Sequence, residues 1–214
     1  GYPVEHNLLS ATIIAPDCMT ADAWATACMV AGLEKAQEWI SANDDIRGYL
    51  IYEEDGELKT WDSEARGYIV KVGDMAPDFE LDMDNGEKLH LSALRGKVVM
   101  LQFTASWCGI CRREMPFIES DIWQKHKDDK DFVLVGIDRE ESADKVAYLR
   151  EVTGITYPLA YDVASEAFCK YAHSSAGITR NVLIDKKGRI VMLTRKFDEK
   201  EFGELCDKID EMLK

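Results

Sequence analysis

The stretch that decides the fold is residues 98–114, VVMLQFTASWCGICRRE, in which two cysteines follow a long apolar run. Val98–Phe103 is almost continuously apolar, which is typical of a central strand that is buried on both faces of a sheet. A helix is predicted to begin at the cysteines and to run toward Lys125, with Pro116 interrupting it. The cysteines therefore follow the carboxyl end of a buried strand, where α/β sheets place their functional sites.

Cys108 and Cys111 have the spacing of a redox pair at a helix N-terminus. The unpaired N–H groups and the dipole of a helix favour an anion there, so Cys108 is predicted to be the reactive thiolate. Cys111, one turn later, is placed to attack a mixed disulfide and release the substrate. Trp107 is expected to shield one side of the sulfur. Glu114 is either a proton acceptor that faces the sulfurs or a solvated helix acid, and its spacing alone does not decide between them.

Two other interpretations of this pair are half of a metal site and two ordinary core thiols. A zinc site needs two more ligands, and the chain has neither a second C-x-x-C pair nor a local cluster of histidines. The core-thiol interpretation conflicts with the position of the pair at the end of a strand. The other four cysteines are scattered and are expected to be small buried residues, namely Cys18, Cys28, Cys169 and Cys206.

The chain is acidic, and the charge is unevenly distributed. Its 214 residues carry a net charge of −14, of which residues 1–70 contribute −9 (13 acidic against 4 basic residues). An acidic chain without a basic stripe argues against nucleic acid and anionic membrane surfaces as partners. No apolar run is long enough to span a membrane. No signal peptide is visible, and because the chain opens with Gly1, we expect its N-terminus to be a processing or cloning boundary.

The first 70 residues are predicted to follow the order β-α-β-β. Residues 8–15 are apolar and β-prone, and Thr20 is predicted to cap a helix that extends to about Ala42. An Asp-Gly turn then joins residues 48–53 to residues 57–61 as a hairpin. This segment is small for an independent domain.

Residues 71–214 alternate between strand and helix patterns after a predicted linker at 71–77. Two short strands, the central strand, a second buried strand at 132–138 and an amphipathic helix at 141–154 come first. A short helix in EAFCKYAH, a hairpin formed by NVLID and RIVMLT, and a terminal helix in DEKEFGELCDKIDEML complete the order. This order predicts an α/β fold with a central sheet covered on both faces.

Three motifs in residues 71–214 resemble the thioredoxin-like thiol:disulfide oxidoreductases of the TlpA/ResA type. They are VGDMAPDFEL, LSALRGKVVMLQFTASWCGICRREMP and AGITRNVLIDKKGRIV. The resemblance implies a thioredoxin-like fold with a mixed sheet flanked by helices, Cys108 as attacking thiol, Cys111 as resolving thiol and Glu114 as the acid near them. It also implies no cofactor, protein thiols or disulfides as substrates, a redox protein as electron donor or acceptor, and an exported, typically periplasmic, location.

Two residues depart from this family pattern. Gln102 occupies the position of the buried aspartate of thioredoxins and cannot ionise, so proton transfer is expected to pass to Glu114 or water. Thr179 occupies the position of the family's cis-proline, and a cis bond before a non-proline residue costs about 2.5–4 kcal/mol, so we expect a trans bond. The substrate groove is expected to include Trp107, Ile178, Thr179 and Arg180, with Arg180 approaching the sulfurs to stabilise a thiolate.

The first 70 residues resemble the C-terminal end of the FAD:protein FMN transferase (ApbE) family, through PVEHNLLSATIIAPDCMTADAWATACMVAG and GYLIYEEDGELKTW. In that family an aspartate and a threonine of the ADAxAT stretch help to hold a divalent metal. The matching residues are Asp22 and Thr26, but a hard cation needs more oxygen ligands, so we expect no metal here. This segment is also expected to allow association between copies of the chain.

The sequence thus predicts a fragment at 1–70, a thioredoxin-like domain at 71–214, and thiol:disulfide oxidoreductase activity. A peroxiredoxin is the enzymatic alternative, but neither Cys108 nor Cys111 follows the P-x-x-x-[TS]-x-x-C pattern. A binding or scaffold module, or one part of a larger flavin-transferase fusion, is the alternative from another class. The direction of electron flow depends on the reduction potential, which the sequence does not give.

Overall fold

A computed structural model describes residues 6–43, 45–63, 67–174 and 176–214 of the chain. The chain divides into two compact units, one ending at Gly67 and the other beginning at Tyr68. Within the described residues, no helix is both long and apolar enough to cross a membrane. Part of the predicted loop at 43–45 and the start of the first N-terminal motif lie outside the described residues.

The N-terminal unit is a three-stranded antiparallel sheet with two helices. The strands are β1 (Leu8–Ile14), β2 (Arg47–Glu54) and β3 (Glu57–Asp62), in the order β1-β2-β3. The helices are α1 (Cys18–Ala31) and α2 (Leu33–Ala42). Buried helix residues pack against β2 in a small core that includes Cys28, Ala36, Ile40 and Leu50. The predicted strands and hairpin are confirmed.

The single helix predicted for this unit is wrong, because Gly32 divides it. Gly32 has a φ of 85°, a backbone conformation that glycine adopts without steric cost, and this residue ends α1 and precedes α2. The predicted cap is also wrong by three residues. The Asp17 carboxylate accepts the backbone N–H of Thr20 at 2.9 Å, so Asp17 and not Thr20 caps α1.

The second unit contains a seven-stranded mixed sheet in the order β10-β9-β6-β7-β8-β4-β5. The central pairs β6–β7 and β7–β8 are parallel, and the other pairs are antiparallel. The strands are β4 (Glu80–Met83), β5 (Lys88–His90), β6 (Val98–Thr104), β7 (Phe132–Arg139), β8 (Leu159–Asp162), β9 (Arg180–Ile184) and β10 (Ile190–Arg195). The sequence does not predict β8, because its four residues are too few to show a period.

The helices of this unit pack on both faces of the sheet. They are α3 (Gly109–Phe117), α4 (Ala143–Thr153), α5 (Glu166–Tyr171) and α6 (Glu199–Met212), with a short 3-10 turn at Leu91–Leu94. Pro116 lies within α3, and the chain continues helically beyond it as a π-helical segment, Ile118–Trp123, and one more turn, Gln124–His126. The predicted interruption at Pro116 is therefore a change of helix type rather than an end.

β6 is the centre of the core, and all seven of its residues are buried. Val99, Leu101 and Phe103 contact the apolar layer that contains α5, whereas Val98 and Met100 contact the layer that contains α3, α4 and α6. The predicted strand buried on both faces is confirmed, as is the thioredoxin-like arrangement of a mixed sheet flanked by helices.

Residues 71–77, the predicted linker, belong to the second unit and are hydrogen-bonded within it. The Gly73 N–H donates to the Ile190 carbonyl at 2.8 Å, and the Ala76 N–H donates to the Gly188 carbonyl at 2.9 Å. These hydrogen bonds fix the segment along the β9–β10 hairpin.

Candidate active site

The two cysteines form a disulfide at the junction of β6 and α3. Cys108 is the N-cap of α3, and its Sγ accepts the backbone N–H of Cys111 at 3.2 Å. Both cysteines are buried, but Cys108 keeps 6% of its surface exposed whereas Cys111 keeps none, so Cys108 is the more accessible of the two. The adjacent Trp107 is 66% exposed and offers an apolar surface beside it. This geometry gives Cys108 the helix N-terminus that favours a thiolate.

The hydroxyl of Thr179 faces both sulfurs. Its Oγ1 lies 3.2 Å from the Sγ of Cys108 and 3.1 Å from the Sγ of Cys111. The Ile178–Thr179 peptide bond is trans, as predicted from the replacement of proline. Because a hydroxyl rotates freely, it can donate a hydrogen bond to either sulfur once the pair is reduced.

Arg180 is buried, and it contacts Gly177 and Tyr68. Its Nε donates to the Gly177 carbonyl at 2.8 Å, and its guanidinium lies 4.7 Å from the centre of the Tyr68 ring. Burial lowers the pKa of the Arg180 guanidinium from its usual value. The expected approach of Arg180 to the sulfurs stays a prediction.

Glu114 lies inside the protein, three residues after Cys111 on the same helix, and belongs to a buried polar network. Its carboxylate accepts hydrogen bonds from the Asn181 side-chain amide at 2.7 Å and from the Gln102 amide at 3.3 Å. The Tyr157 hydroxyl donates to the other end of Gln102 at 2.6 Å. Burial raises the Glu114 pKa to about 7, against the lowering effect of the two amide donors. This carboxyl can therefore exchange a proton near neutral pH.

The sequence identifies Glu114 and Gln102 but not their partners Asn181 and Tyr157. Asn181 is a polar residue at the start of the apolar strand β9, and it is 1% exposed. A polar side chain within an apolar strand indicates a buried hydrogen bond, and this is the sequence feature that could have identified Asn181. Tyr157 has no comparable local signal, because only the fold places it beside Gln102.

The cysteines outside the pair do not all fit the prediction of small buried residues. Cys28 is buried and Cys206 is half-buried, but Cys18 and Cys169 are exposed. The error arises because a cysteine is apolar enough to favour burial yet small enough to be tolerated at a helix surface. Burial raises the pKa of the Cys206 thiol to about 11, so this group is a poor nucleophile.

The metal candidates of the N-terminal unit are on the surface. Asp22 and Thr26 are both exposed and lie four residues apart on α1. Among the residues that the structure describes, no group of three or more histidines, cysteines and acids is placed to hold a metal ion.

Two family models match separate parts of the chain. The Redoxin model matches residues 71–209, and the ApbE family model matches residues 1–50. The chain is similar to the thiol-disulfide oxidoreductase ResA of Bacillus thuringiensis (strain Al Hakam), with 30% identity over 57% of this chain and 68% of that protein. It is also similar to the FAD:protein FMN transferase of Escherichia coli (strain K12), with 48% identity over 28% of this chain and 17% of the transferase.

Among solved structures, the chain is similar to a candidate protein disulfide isomerase from Bacteroides thetaiotaomicron. The identity is 60%, the TM-score is 0.68, and the match covers 70% of this chain and 94% of that structure. Family model, relative and solved structure thus agree for the unit that carries the disulfide, whereas the N-terminal unit matches only a small part of a much longer protein.

Proposed function

The chain belongs to the Redoxin family, and from this premise we propose that its thiol:disulfide exchange uses Cys108 as the attacking thiol and Cys111 as the resolving thiol. One observation carries the assignment: Cys108 caps the N-terminus of α3 and is the less buried of the two cysteines, at 6% exposure against 0% for Cys111. The helix N-terminus favours the thiolate on the sulfur that a partner can reach.

The exchange proceeds in two displacement steps. The Cys108 thiolate attacks one sulfur of a substrate disulfide, so that a mixed disulfide forms and the other substrate sulfur leaves as a thiolate. The Cys111 thiolate then attacks the Sγ of Cys108, which releases the second substrate thiolate and forms the Cys108–Cys111 disulfide. The substrate is reduced by two electrons and the pair is oxidised by two. In the opposite direction, a substrate dithiol reduces the pair.

Glu114 is proposed as the group that takes the proton from Cys111. A buried thiol must lose its proton before it can attack, and a carboxyl with a pKa of about 7 is partly ionised at neutral pH. Gln102 and Asn181 hold both carboxylate oxygens, so they fix the direction in which the group faces. Gln102, which replaces an ionisable residue, therefore acts through Glu114 as a positioning residue.

The proposed setting is an exported one, with protein thiols or disulfides as substrates and a separate redox protein as electron donor or acceptor. This proposal is supported by the resemblance to the TlpA/ResA type and by the similarity to ResA. We also propose a domain boundary near residue 70, with the N-terminal segment acting as a metal-free, ApbE-like fragment that brings copies of the chain together.

The double variant Cys108→Ser/Cys111→Ser is expected to lose all catalysed exchange while it keeps its fold. The measurement is the reduction of a disulfide-bonded model protein in a thiol buffer, compared with the buffer alone. Circular dichroism provides the check on folding. A double variant that still accelerates reduction would contradict the assignment, and a wild type that does not accelerate it would favour a binding module.

Thr179→Val removes the hydroxyl and is expected to slow alkylation of Cys108 at pH 7 by roughly threefold. This factor corresponds to the lower part of the range of free energies that one net hydrogen bond contributes. The reason is that Oγ1 lies within hydrogen-bonding distance of both sulfurs. Thr179→Ser keeps the hydroxyl and is the matched control. Equal rates for the valine and serine variants would show that the hydroxyl does not stabilise the thiolate.

A further inference from the structure

The loop after β7 is attached to the segment that leads into Cys108. Both carboxylate oxygens of Glu141 bind Ser106: one accepts the backbone N–H and the other accepts the hydroxyl at 2.6 Å. Ser106 is two residues before Cys108, in a turn closed by a hydrogen bond from the Cys108 N–H to the Ala105 carbonyl at 3.1 Å. Glu140, with a φ of 61°, is in the left-handed region that non-glycine residues rarely adopt. The chain thus accepts local strain at the residue that precedes this contact.

A second carboxyl, that of Asp138, is near Glu141 and receives no hydrogen bond from the residues that the structure describes. Asp138, near the end of β7, is 0% exposed, and neither of its carboxyl oxygens has a hydrogen-bond partner among the residues that the structure describes. Burial and then the neighbouring Glu141 carboxylate raise the Asp138 pKa to about 8. An ionised carboxylate without donors is costly in such a place, so the neutral form of Asp138 is favoured at neutral pH.

In the described part of the chain, Glu141 is the one group close to Asp138 that can share a proton with it near neutral pH. On the neighbouring strands, Asp138 lies opposite Thr104, which is neutral, and Tyr161. The pKa of the Tyr161 phenol is raised, mainly by burial, so it stays protonated well above neutral pH. The Arg139 guanidinium is the counter-ion of a different acid, because it binds the Glu140 carboxylate at 2.9 Å.

Among the described residues, α3 and α4 also provide no counter-ion for Asp138. α3 contributes Glu114, whose carboxylate is held by two amide groups, and its arginines are exposed. α4 contributes Asp144, Lys145 and Glu151, which are exposed, and Arg150, which binds Asp84 and two backbone carbonyls.

We propose that Asp138 and Glu141 share a proton, and that this proton keeps Glu141 on Ser106 and thereby positions Cys108 for attack. With the proton on Asp138, its hydroxyl can donate to Glu141, which remains negative and accepts both groups of Ser106. When the proton is lost, the buried Asp138 and the partly buried Glu141 both carry a negative charge, and the repulsion between them weakens the hold on Ser106. Both acids are positioning residues, since they act on Cys108 through Ser106.

The structural test follows the Ser106 amide resonance in ¹⁵N–¹H spectra of the oxidised protein between pH 5.5 and 10. The disulfide form is chosen because neither active-site thiol titrates in it. The wild type is expected to show a transition near pH 8 at Ser106, and Asp138→Asn, which is neutral at every pH, is expected to lack it. A Ser106 resonance that does not titrate, or that titrates identically in Asp138→Asn, overturns the proposal.

The variant Glu141→Gln provides an independent test if Asp138→Asn does not fold. Without the neighbouring negative charge, the pKa of Asp138 is lowered, so an Asp138 carboxyl resonance is expected to titrate at lower pH than in the wild type. An unchanged midpoint overturns the proposal. Glu151→Gln, an exposed acid of α4, is the matched control and leaves the midpoint in place.

The functional test rests on the proposed role of Cys108, whereas the spectral test does not, so the two can fail separately. The exchange rate of Asp138→Asn divided by that of the wild type is expected to be close to one at pH 6.5. At pH 9.5 the ratio is expected to rise to roughly three, which corresponds to the lower part of the range of free energies that one net hydrogen bond contributes. If the Ser106 resonance titrates but the ratio of exchange rates does not change with pH, the coupling to Cys108 is overturned. Loss of exchange in every variant contradicts the assignment of Cys108 instead.

Discussion

Replacement of Cys111 by serine is expected to convert the protein into a trap that stays covalently joined to its substrate. The Cys108 thiolate still attacks the substrate disulfide, but no second thiol is present to break the mixed disulfide. Catalysed turnover stops, and an adduct accumulates to about one equivalent per chain. Non-reducing electrophoresis and mass spectrometry measure the adduct, which a strong reductant reverses.

The matched variant Cys108→Ser is expected to form no adduct, although it also keeps one cysteine of the pair. Cys111 is 0% exposed, so a protein disulfide cannot reach its sulfur. Both variants are best made in a background with serine at Cys18 and Cys169, because these exposed thiols can form adducts of their own. Adducts of similar yield in both variants would contradict the division of roles between Cys108 and Cys111.

Glu114→Gln is expected to lower the rate of exchange at pH 7 by about a hundredfold, the lower range for loss of a general acid–base group. The loss is expected in the resolving step, because the variant lacks the carboxylate that we propose as the proton acceptor for Cys111. The wild-type rate changes with pH around 7, where the Glu114 carboxyl ionises, and the glutamine variant lacks this transition. Stopped-flow measurements across pH 5 to 9 separate the two profiles.

Glu151→Gln, on the surface of α4, is the matched control and is expected to leave the rate and the profile unchanged. If Glu114→Gln lowers the rate equally at every pH, Glu114 has only a structural role. If the rate does not fall, proton transfer passes through water.

The Glu114 carboxyl is expected to make the folded protein less stable as the pH rises, which is the opposite of the effect of a salt-bridged acid. Burial raises the Glu114 pKa from 4.5 to about 7, so the folded state holds this proton more tightly than the unfolded state. The stabilisation is complete below pH 4.5 and is lost as the pH rises through about 7. Glu114→Gln is expected to remove about 1–3 kcal/mol of this pH dependence from the free energy of unfolding. Urea unfolding at pH 4.5 and pH 8 measures the difference.

The central part of the fold could be predicted because single segments encode it. The apolar run of β6 identifies a strand buried on both faces, and the cysteines after it identify a helix N-terminus. The break at Gly32 could not be predicted because the flanking residues continue a helical pattern, and the positive φ of a glycine has no effect on that pattern. β8 could not be predicted because four residues do not establish a period.

The site could be predicted only as far as local spacing reaches. Glu114 could be identified as a candidate because it lies three residues after Cys111 on the same helix, but this spacing does not decide between a proton acceptor and a solvated acid. The contact of Thr179 with both sulfurs joins segments about seventy residues apart, and the hold of Glu141 on Ser106 joins segments 35 residues apart. These contacts depend on strand order and register, which the sequence pattern alone does not give.

The most direct test of the central claim is the reduction potential of the Cys108–Cys111 pair. The protein is equilibrated in graded thiol buffers and trapped with an alkylating agent, and the tags are counted by mass. A reversible two-electron transition is predicted. A value near that of thioredoxin, about −270 mV, marks a reductant of other proteins, and a value near −120 mV marks an oxidant. Thiols that never pair, or that pair irreversibly, would contradict the exchange mechanism.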